Sequence, residues 1–333
     1  MHLPRLIGTL LLPFTLLSTS AQQKPTPLGL CLENYTYPYP VKYIALHLQH
    51  EEIKMAYMDV RPDQPNGHTF LLLHGKNFCG AYWGPTAKAL AAKGYRVIIP
   101  DQVGFGKSSK PEHLQYTFQL LAQNTKAVLD SAQVDKVIVL GHSMGGMVAT
   151  RFTLMYPDIV EKFILEDPIG LEDWRLKIPY QNIDAGYRSE LKQTQASLKK
   201  YMLDNYFHGV WRPDYDEMLN IVAGWTLSPE YDRIAWNSAL TSDMIFTQPV
   251  CYEFGQIKAP SLLLIGQLDR TAPGKDRTPD SIRQTLGDYS ALGKLTQEKI
   301  PNCQLVPIPG VGHVPHMEAF DTFMTSLLNF LAK

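Results

Sequence analysis

One serine lies in a motif that can support nucleophilic chemistry. Residues 141–146 read GHSMGG, which fits G-x-S-x-G, with Ser143 at the centre. The apolar run Val137–Leu140 comes before the motif and a helical pattern from Met144 follows it. Small residues allow the sharp strand-to-helix turn that exposes a serine hydroxyl, at a helix start where negative charge is favoured. This context predicts that Ser143 is a nucleophile rather than part of a glycine-rich turn.

A serine hydroxyl is a weak nucleophile and needs a histidine base, which in turn needs a carboxylate to orient it. Two histidines, His313 and His316, lie in the segment GVGHVPH at 310–316. Asp269 follows an apolar run at 262–265, and Glu166 and Asp167 follow another at 163–165. At this level both histidines and all three carboxylates remain candidates.

The segment HGKNF at 74–78 follows the apolar run at 70–73. With the serine motif, it resembles the α/β-hydrolase superfamily, in which a strand ending in His-Gly leads into an oxyanion loop. The resemblance implies that the backbone amides of Lys76 and Met144 form an oxyanion hole. We interpret His74 as a structural histidine that binds loop backbone rather than as a catalytic group.

The resemblance also implies the order nucleophile, acid, histidine along the chain. Asp101, in a D-x-x-G-x-G-x-S turn, precedes Ser143 and is therefore assigned to structure. Asp269 is the predicted acid, with Glu166 and Asp167 as alternatives because some relatives place the acid there. His313 fits the G-x-G-H loop of the family, so it is predicted as the base in preference to His316.

Short continuous apolar runs alternate with helical patterns from Thr69 onwards, as in a sheet buried on both faces. We therefore predict an α/β fold with a mostly parallel central sheet flanked by helices, and the resemblance implies that it is the α/β-hydrolase fold. A strand pair is predicted at 43–48 and 53–60. The apolar runs lie at 70–73, 97–99, 137–140, 163–165 and 262–265, and the helical patterns at 82–93, 118–131 and 144–155.

The alternation stops between about 169 and 255, where large aromatic residues are frequent. We predict several short helices that form a cap inserted into one α/β-hydrolase domain at 22–333. The Pro- and Tyr-rich stretch at 24–40 is expected to lie on the domain as an extended arm. The aromatic residues of the cap segment are Trp174, Tyr180, Tyr187, Tyr201, Tyr206, Phe207, Trp211, Trp225, Tyr231, Trp236 and Phe246.

The first 21 residues have the layout of a secretory signal peptide. A short basic flank precedes an apolar run at 6–17, and small residues at 18–21 suit signal peptidase. We expect a periplasmic or secreted protein, with an uncleaved membrane anchor as the alternative. In that oxidising location a disulfide could form, but the spacing of the cysteines indicates no pairing. The four cysteines are Cys31, Cys79, Cys251 and Cys303.

Composition and missing motifs exclude several function classes. The chain has 31 Lys and Arg against 32 Asp and Glu, a formal net charge of −1, so nothing indicates a nucleic-acid partner. Neither a metal-binding cluster, a phosphate loop nor a dinucleotide fingerprint is present, so we expect no metal and no cofactor. A serine at position 143 argues against haloalkane dehalogenases and epoxide hydrolases, which carry aspartate there.

The resemblance implies a serine hydrolase that cleaves a carboxylic ester or a lactone through an acyl-enzyme intermediate. The expected substrate is a small uncharged molecule, and a macrolide-type ester would suit an aromatic cap. C–C bond hydrolases, cofactor-free perhydrolases and proline iminopeptidase-like amidases have the same general build. A non-catalytic hydrolase-like binding protein is disfavoured by the complete set Ser143, Asp269 and His313. The sequence leaves the oligomeric state open.

Overall fold

The computed structural model describes residues 25–333 and contains one eight-stranded sheet. The strands lie side by side in the order β1-β2-β4-β3-β5-β6-β7-β8. The two pairs that involve β2 are antiparallel, and the other strand pairs are parallel. The strands are β1 (Val41–Leu48), β2 (Glu51–Val60), β3 (Thr69–Leu73), β4 (Arg96–Pro100), β5 (Val137–His142), β6 (Val160–Glu166), β7 (Ser261–Gly266) and β8 (Cys303–Ile308).

The predicted mostly parallel sheet is confirmed, and each of the apolar runs lies within a strand. Every residue of β5 and β7 is buried, because helices cover both faces of the sheet and leave no solvent side. Two hydrophobic clusters pack on the two faces, since alternate side chains of each strand point in opposite directions. The predicted strand pair at the start of the domain is β1 with β2.

The eighth strand was not predicted. Its sequence, CQLVPI, is interrupted by Gln304 and Pro307, and most of its residues are only partly buried. Strand β8 pairs with β7 alone and lies at the edge of the sheet. A proline lacks the amide that a central strand would have to donate, so an edge strand can accept it.

Helices flank the sheet where helical spacing predicted them. The second helix begins after Thr117, whose side chain accepts a hydrogen bond of 3.0 Å from the Leu120 amide. The helices are α1 (Gly84–Ala91), α2 (Phe118–Ser131), α3 (Met144–Met155), α4 (Ile183–Glu190), α5 (Gln195–Asn205), α6 (Asp216–Trp225), α7 (Tyr231–Thr247), α8 (Asp280–Arg283), α9 (Tyr289–Lys299), α10 (Pro315–Glu318) and α11 (Phe320–Leu331).

Four of these helices, α4 to α7, lie between β6 and β7, in the segment where helices without strands were predicted. Helix α4 packs against α7, and α5 packs against α6. The largest of them, α7, has 17 residues and is longer than the short helices expected there. We refer to α4–α7 with their connecting loops as the cap.

The expected arm is present from residue 25 onwards. Leu28 and Leu32 are buried, and the Leu28 amide donates a hydrogen bond to the Gly224 carbonyl in the cap. The predicted signal peptide at 1–21 lies outside the described residues. Within residues 25–333, no helix is long and apolar enough to cross a bilayer, and the four cysteines are unpaired.

Candidate active site

Ser143 occupies the turn between β5 and α3. Its backbone has φ 56° and ψ −123°. Residues other than glycine rarely adopt this conformation, and the surrounding structure holds Ser143 in it. A Cβ atom added to Gly141 would collide with the Gly145 carbonyl, and one added to Gly145 would collide with the Leu73 carbonyl. The glycines of the motif are therefore required because the turn packs directly on its own backbone and on β3.

Ser143, His313 and Asp269 lie in one chain of hydrogen bonds. The Ser143 Oγ is 2.9 Å from His313 Nε2, and His313 Nδ1 is 2.6 Å from Asp269 Oδ2. Because a carboxylate accepts hydrogen bonds, Nδ1–H donates to Asp269 and Nε2 accepts from the serine hydroxyl. His313 and Asp269 are 0% exposed and Ser143 is 5% exposed. The structure thus brings together three residues that lie at distant points of the sequence.

The other oxygen of Asp269 accepts a hydrogen bond of 2.7 Å from the Thr271 amide. This bond fixes the carboxylate in the loop after β7, so that one oxygen faces the His313 ring. A carboxylate held in this way keeps the imidazole in a single orientation and tautomer.

The two alternative acids have other partners. Glu166 accepts hydrogen bonds from His316, at 2.7 Å from its backbone amide and 2.9 Å from its Nδ1. Both oxygens of Asp167 lie 3.0 Å from the Gly266 amide, which donates to them. Burial and the nearby charge of Asp269 raise the pKa of Asp167 well above its usual range. The bonds of Asp167 therefore join the ends of β6 and β7, those of Glu166 join the end of β6 to α10, and neither acid is bonded to His313.

The alternative histidine, His316, is 3% exposed and does not reach the serine. Its ring stacks on Trp83, with 4.3 Å between the ring centroids, and its Nε2 has no hydrogen-bond partner. The structure therefore places His313, and not His316, beside Ser143.

His74 and Asp101 have the structural contacts that the sequence predicted. His74 Nδ1 donates a hydrogen bond of 2.8 Å to the Gly75 carbonyl, and its Nε2 accepts one of 3.0 Å from the Gln102 amide. Asp101 accepts hydrogen bonds from the backbone amides of Gly80 and Lys107, at 2.6 and 2.7 Å. Both side chains thus hold the loops beneath the candidate site.

The two amides implied as an oxyanion hole are available. Within residues 25–333, neither the Lys76 nor the Met144 backbone amide donates a hydrogen bond to another group of the chain. Met144 opens α3, where the first amides of a helix have no partner inside the helix. A Cβ atom on Gly75 would lie 2.9 Å from the Ser143 Cβ, so the loop passes directly over the serine.

The side chains of the same loop contact the cap. Lys76 Nζ donates a hydrogen bond of 2.8 Å to Ser238 Oγ on α7, and Asn77 Nδ2 donates one of 2.8 Å to the Tyr206 hydroxyl. The sequence left the direction of these side chains open. Their bonds join the oxyanion loop to the cap on two sides.

Ser143 lies in a cavity of about 250 Å³ between the sheet and the cap. Three of the eleven aromatics noted between about 169 and 255 line it, and of the other eight only Trp174, Phe207 and Trp225 are buried. The charged residues lining the cavity are Lys76, Glu190, Asp243, Asp276 and Arg277, and the aromatic ones are Tyr201, Tyr206 and Phe246.

Tyr206 is a site residue that sequence reasoning did not single out. Its ring stacks on the His313 ring at a centroid distance of 4.8 Å, and its carbonyl accepts a hydrogen bond of 2.8 Å from the His313 amide. Tyr206 directly follows α5 and was noted only as one of many aromatics. The pairing spans more than a hundred residues, and a single sequence carries no signal for it.

Among the residues that the structure describes, no group of three or more His, Cys, Asp or Glu side chains could hold a metal ion. The protein groups of the candidate site are a hydroxyl, an imidazole, a carboxylate and two unpaired backbone amides.

Residues 68–207 match the family model of the alpha/beta hydrolase fold. The chain is 47% identical to a crystal structure described as a "probable hydrolytic enzyme" from Pseudomonas aeruginosa PAO1, over 93% of this chain and 99% of that one, with a TM-score of 0.91. The match to that structure therefore extends over most of both chains.

Two curated relatives are more distant. The chain is 28% identical to the 2-hydroxy-6-oxo-6-phenylhexa-2,4-dienoate hydrolase of Burkholderia cepacia, over 81% of this chain and 90% of the relative. It is 26% identical to Lipase 1 of Psychrobacter immobilis, over 77% of this chain and 74% of the relative. These two relatives are named for different activities, so similarity at this level does not select a reaction.

Proposed function

The chain belongs to the α/β-hydrolase superfamily, and on that premise we propose that it hydrolyses a carboxylic ester or a lactone through an acyl-enzyme intermediate. The observation that carries the proposal is the hydrogen-bonded chain from Ser143 through His313 to Asp269, at the edge of a cavity beneath the cap. A hydroxyl within hydrogen-bond distance of a carboxylate-bound imidazole is the arrangement that activates a serine.

In the first half of the reaction, Ser143 Oγ attacks the carbonyl carbon of the ester while its proton passes to His313 Nε2. The carbonyl oxygen becomes an oxyanion, and the carbonyl double bond re-forms as the alcohol leaves with the proton held by His313. Asp269 stabilises the imidazolium that exists between these two transfers. In a lactone, the leaving alcohol stays attached to the acyl group.

The oxyanion would be held by the backbone amides of Lys76 and Met144. Both amides are unpaired in the described structure, so no existing hydrogen bond has to break before they bind the oxyanion. A preorganised donor of this kind contributes about 3 kcal/mol to the stability of a tetrahedral intermediate.

In the second half, water attacks the acyl-enzyme carbonyl while His313 Nε2 removes one of its protons. The proton then returns to Ser143 Oγ as the ester bond to the enzyme breaks, and a carboxylic acid is released. The enzyme is regenerated with the hydroxyl and the neutral imidazole in their starting states.

The cavity supports a small uncharged substrate. Two cationic and three acidic side chains line it, so charges of both signs are interspersed and no strong field of one sign is present. Its volume of about 250 Å³ lies below the range of about 300–1,000 Å³ that is common for ligand pockets. We therefore propose a short acyl ester or a small lactone in preference to a macrolide-type ester.

The test combines a serine-directed phosphonate with a panel of esters and lactones. We expect the folded chain to be labelled at Ser143 and to hydrolyse p-nitrophenyl acetate, and Ser143→Ala to show neither. Unchanged turnover in Ser143→Ala would contradict Ser143 as the nucleophile. A folded chain that neither labels nor turns over any ester would contradict the enzyme function itself and favour a binding protein.

A second candidate is C–C bond hydrolysis of a vinylogous diketone. It is favoured by the similarity to the Burkholderia cepacia hydrolase, which spans 90% of that relative. The same panel, extended with a 2-hydroxy-6-oxo-dienoate, separates the two reactions. A kcat/KM for the dienoate well above that for every ester and lactone would replace the ester proposal by the C–C one.

A further inference from the structure

His142, the variable residue before the serine in the G-x-S-x-G motif, forms hydrogen bonds to two other segments of the site. Its Nε2 is 2.7 Å from the His313 carbonyl, and its Nδ1 is 2.9 Å from the Tyr82 hydroxyl. The Tyr82 oxygen accepts a further hydrogen bond of 3.2 Å from the Gly75 amide. One buried side chain thus connects the histidine loop, the serine turn and, through Tyr82, the oxyanion loop.

These contacts and the burial of the ring together favour a neutral imidazole. A carbonyl accepts only, so the proton lies on Nε2, and the bare Nδ1 accepts from the Tyr82 hydroxyl. Every polar atom of the ring is then satisfied at 0% exposure. Burial, together with the charges that His313 and His316 would carry, holds the pKa of His142 well below its usual range.

Neutrality matters because of the neighbouring ring. The centroids of His142 and His313 are 5.0 Å apart, and His313 becomes positively charged during proton transfer. A second positive charge at this distance would oppose that step, whereas a neutral ring does not. His142 can therefore lie against the proposed base without competing for its proton.

The backbone of His313 is held at two points. Its amide donates to the Tyr206 carbonyl at 2.8 Å, and its carbonyl accepts from His142 Nε2 at 2.7 Å. The position of the imidazole relative to Ser143 depends on where this backbone lies. His142 directly precedes Ser143 in the chain. Its hydrogen bond to the His313 carbonyl therefore constrains the distance between the nucleophile and the base.

We propose that His142 is a positioning residue, whose Nε2 bond to the His313 carbonyl fixes the separation of Ser143 and His313. This role rests on the proposed function, in which Ser143 is the nucleophile and His313 the base. His142 is absent from the residues that line the cavity with Ser143, so it acts on the rate of reaction rather than on substrate binding.

Two substitutions distinguish the effects of the hydrogen bonds made by the two ring nitrogens of His142. In His142→Gln the side-chain amide reaches the place of Nε2 and can still donate to the His313 carbonyl. In His142→Asn the shorter amide reaches only the place of Nδ1 and faces Tyr82. His47→Gln is the matched control, because its side chain is 64% exposed and pairs with Glu52 on the surface.

The measurements are kcat and KM for p-nitrophenyl acetate, with enzyme concentration taken from phosphonate titration so that misfolded protein does not count. We expect His142→Asn to lower kcat per titrated site by about 10- to 100-fold, since small misplacements of reacting groups have effects of that size. KM should stay within about twofold, and His142→Gln should keep kcat within about fivefold. The control should match the wild type.

The rate of phosphonate labelling reports the reactivity of Ser143 without reference to any substrate, and it should fall in parallel with kcat. Equal kcat values per titrated site in the Asn and Gln variants, or a wild-type labelling rate in His142→Asn, would overturn the proposal and leave a folding role only. A wild-type chain that labels but hydrolyses no ester contradicts the choice of substrate alone, since labelling rates still compare the variants.

If His142→Asn yields no folded protein, Tyr82→Phe provides a second test. It removes the hydroxyl that fixes Nδ1 and leaves the Nε2 donor in place, so a fall in kcat of about two- to fivefold at constant KM is expected. A wild-type kcat and labelling rate in Tyr82→Phe would exclude the link to the oxyanion loop.

Discussion

The molecule contains two buried histidine–carboxylate pairs, and their histidines are three residues apart. His313 pairs with Asp269 at 2.6 Å, and His316 pairs with Glu166 at 2.9 Å, in each case through Nδ1. All four side chains are at most 3% exposed. Both carboxylates lie at or just beyond the carboxyl end of a strand, β7 for Asp269 and β6 for Glu166.

The pairs differ in what the second ring nitrogen meets. Nε2 of His313 is 2.9 Å from Ser143 Oγ, whereas Nε2 of His316 has no partner and its ring stacks on Trp83. Glu166 also accepts from the backbone amide of His316, so this pair holds the start of α10. Burial and a carboxylate partner are therefore not sufficient to indicate a base, and the distance to a nucleophile distinguishes the two.

The comparison is tested most strongly by changing each histidine to glutamine. His313→Gln should lower kcat by about 10⁵-fold, because no group remains to take the serine proton. His316→Gln should leave kcat per folded molecule within about threefold, since its ring does not contact Ser143. Turnover of p-nitrophenyl acetate and circular dichroism measure the two effects. Comparable losses of kcat in both folded variants would remove the distinction.

The carboxylates give the next largest contrast. Asp269→Asn should lower kcat by about 10⁴-fold, since an amide no longer stabilises the imidazolium and favours the wrong tautomer. Asp167→Asn changes the neighbouring acid, and we expect kcat within about threefold because its oxygens face Gly266. A loss of kcat in Asp167→Asn equal to that in Asp269→Asn would indicate that Asp167, directly after β6, serves as the acid.

A smaller effect is expected on stability from the second pair. Glu166→Gln should lower the free energy of unfolding by about 1–3 kcal/mol, because the buried charge-assisted bonds to His316 become weaker. Urea denaturation measures this change, and phosphonate titration checks that kcat per site stays near the wild-type value. Unchanged stability together with reduced kcat would mean that this pair serves the reaction rather than the fold.

The smallest expected effect is a pH dependence that comes from Asp167. Its pKa is raised, so the folded chain retains a proton that the unfolded chain releases above a pKa of about 3.9. The free energy of unfolding therefore falls as pH rises from about 3.9 towards the pKa of Asp167 in the folded chain, and it is constant above that pKa. Asparagine cannot ionise, so the stability of Asp167→Asn relative to the wild type should increase with pH over this interval. Urea unfolding at a series of pH values measures the difference, and a constant difference would contradict the raised pKa.

Much of the fold followed from the sequence because its buried strands are continuous apolar runs. The exception was β8, where Pro307 and Gln304 break the pattern and only an edge position makes it acceptable. Ser143 and His313 could also be predicted from the sequence, since the tight turns in which they lie require the glycines that precede them. The choice of Asp269 depended on chain order in the family, because Asp167 and Glu166 follow a strand in the same way.

The sequence by itself determined the strands of the sheet other than β8, the serine turn and the short list of histidines and carboxylates, since these depend on local composition and on neighbours along the chain. The tertiary structure alone decided the distance between Ser143 and His313, that His142 and Tyr206 hold the backbone of His313, and which cap side chains line the cavity. These contacts join residues separated by 107 to 171 positions. The physical reason is that a hydrogen bond depends on distance and direction in space, and only packing of the sheet, the loops and the cap establishes them.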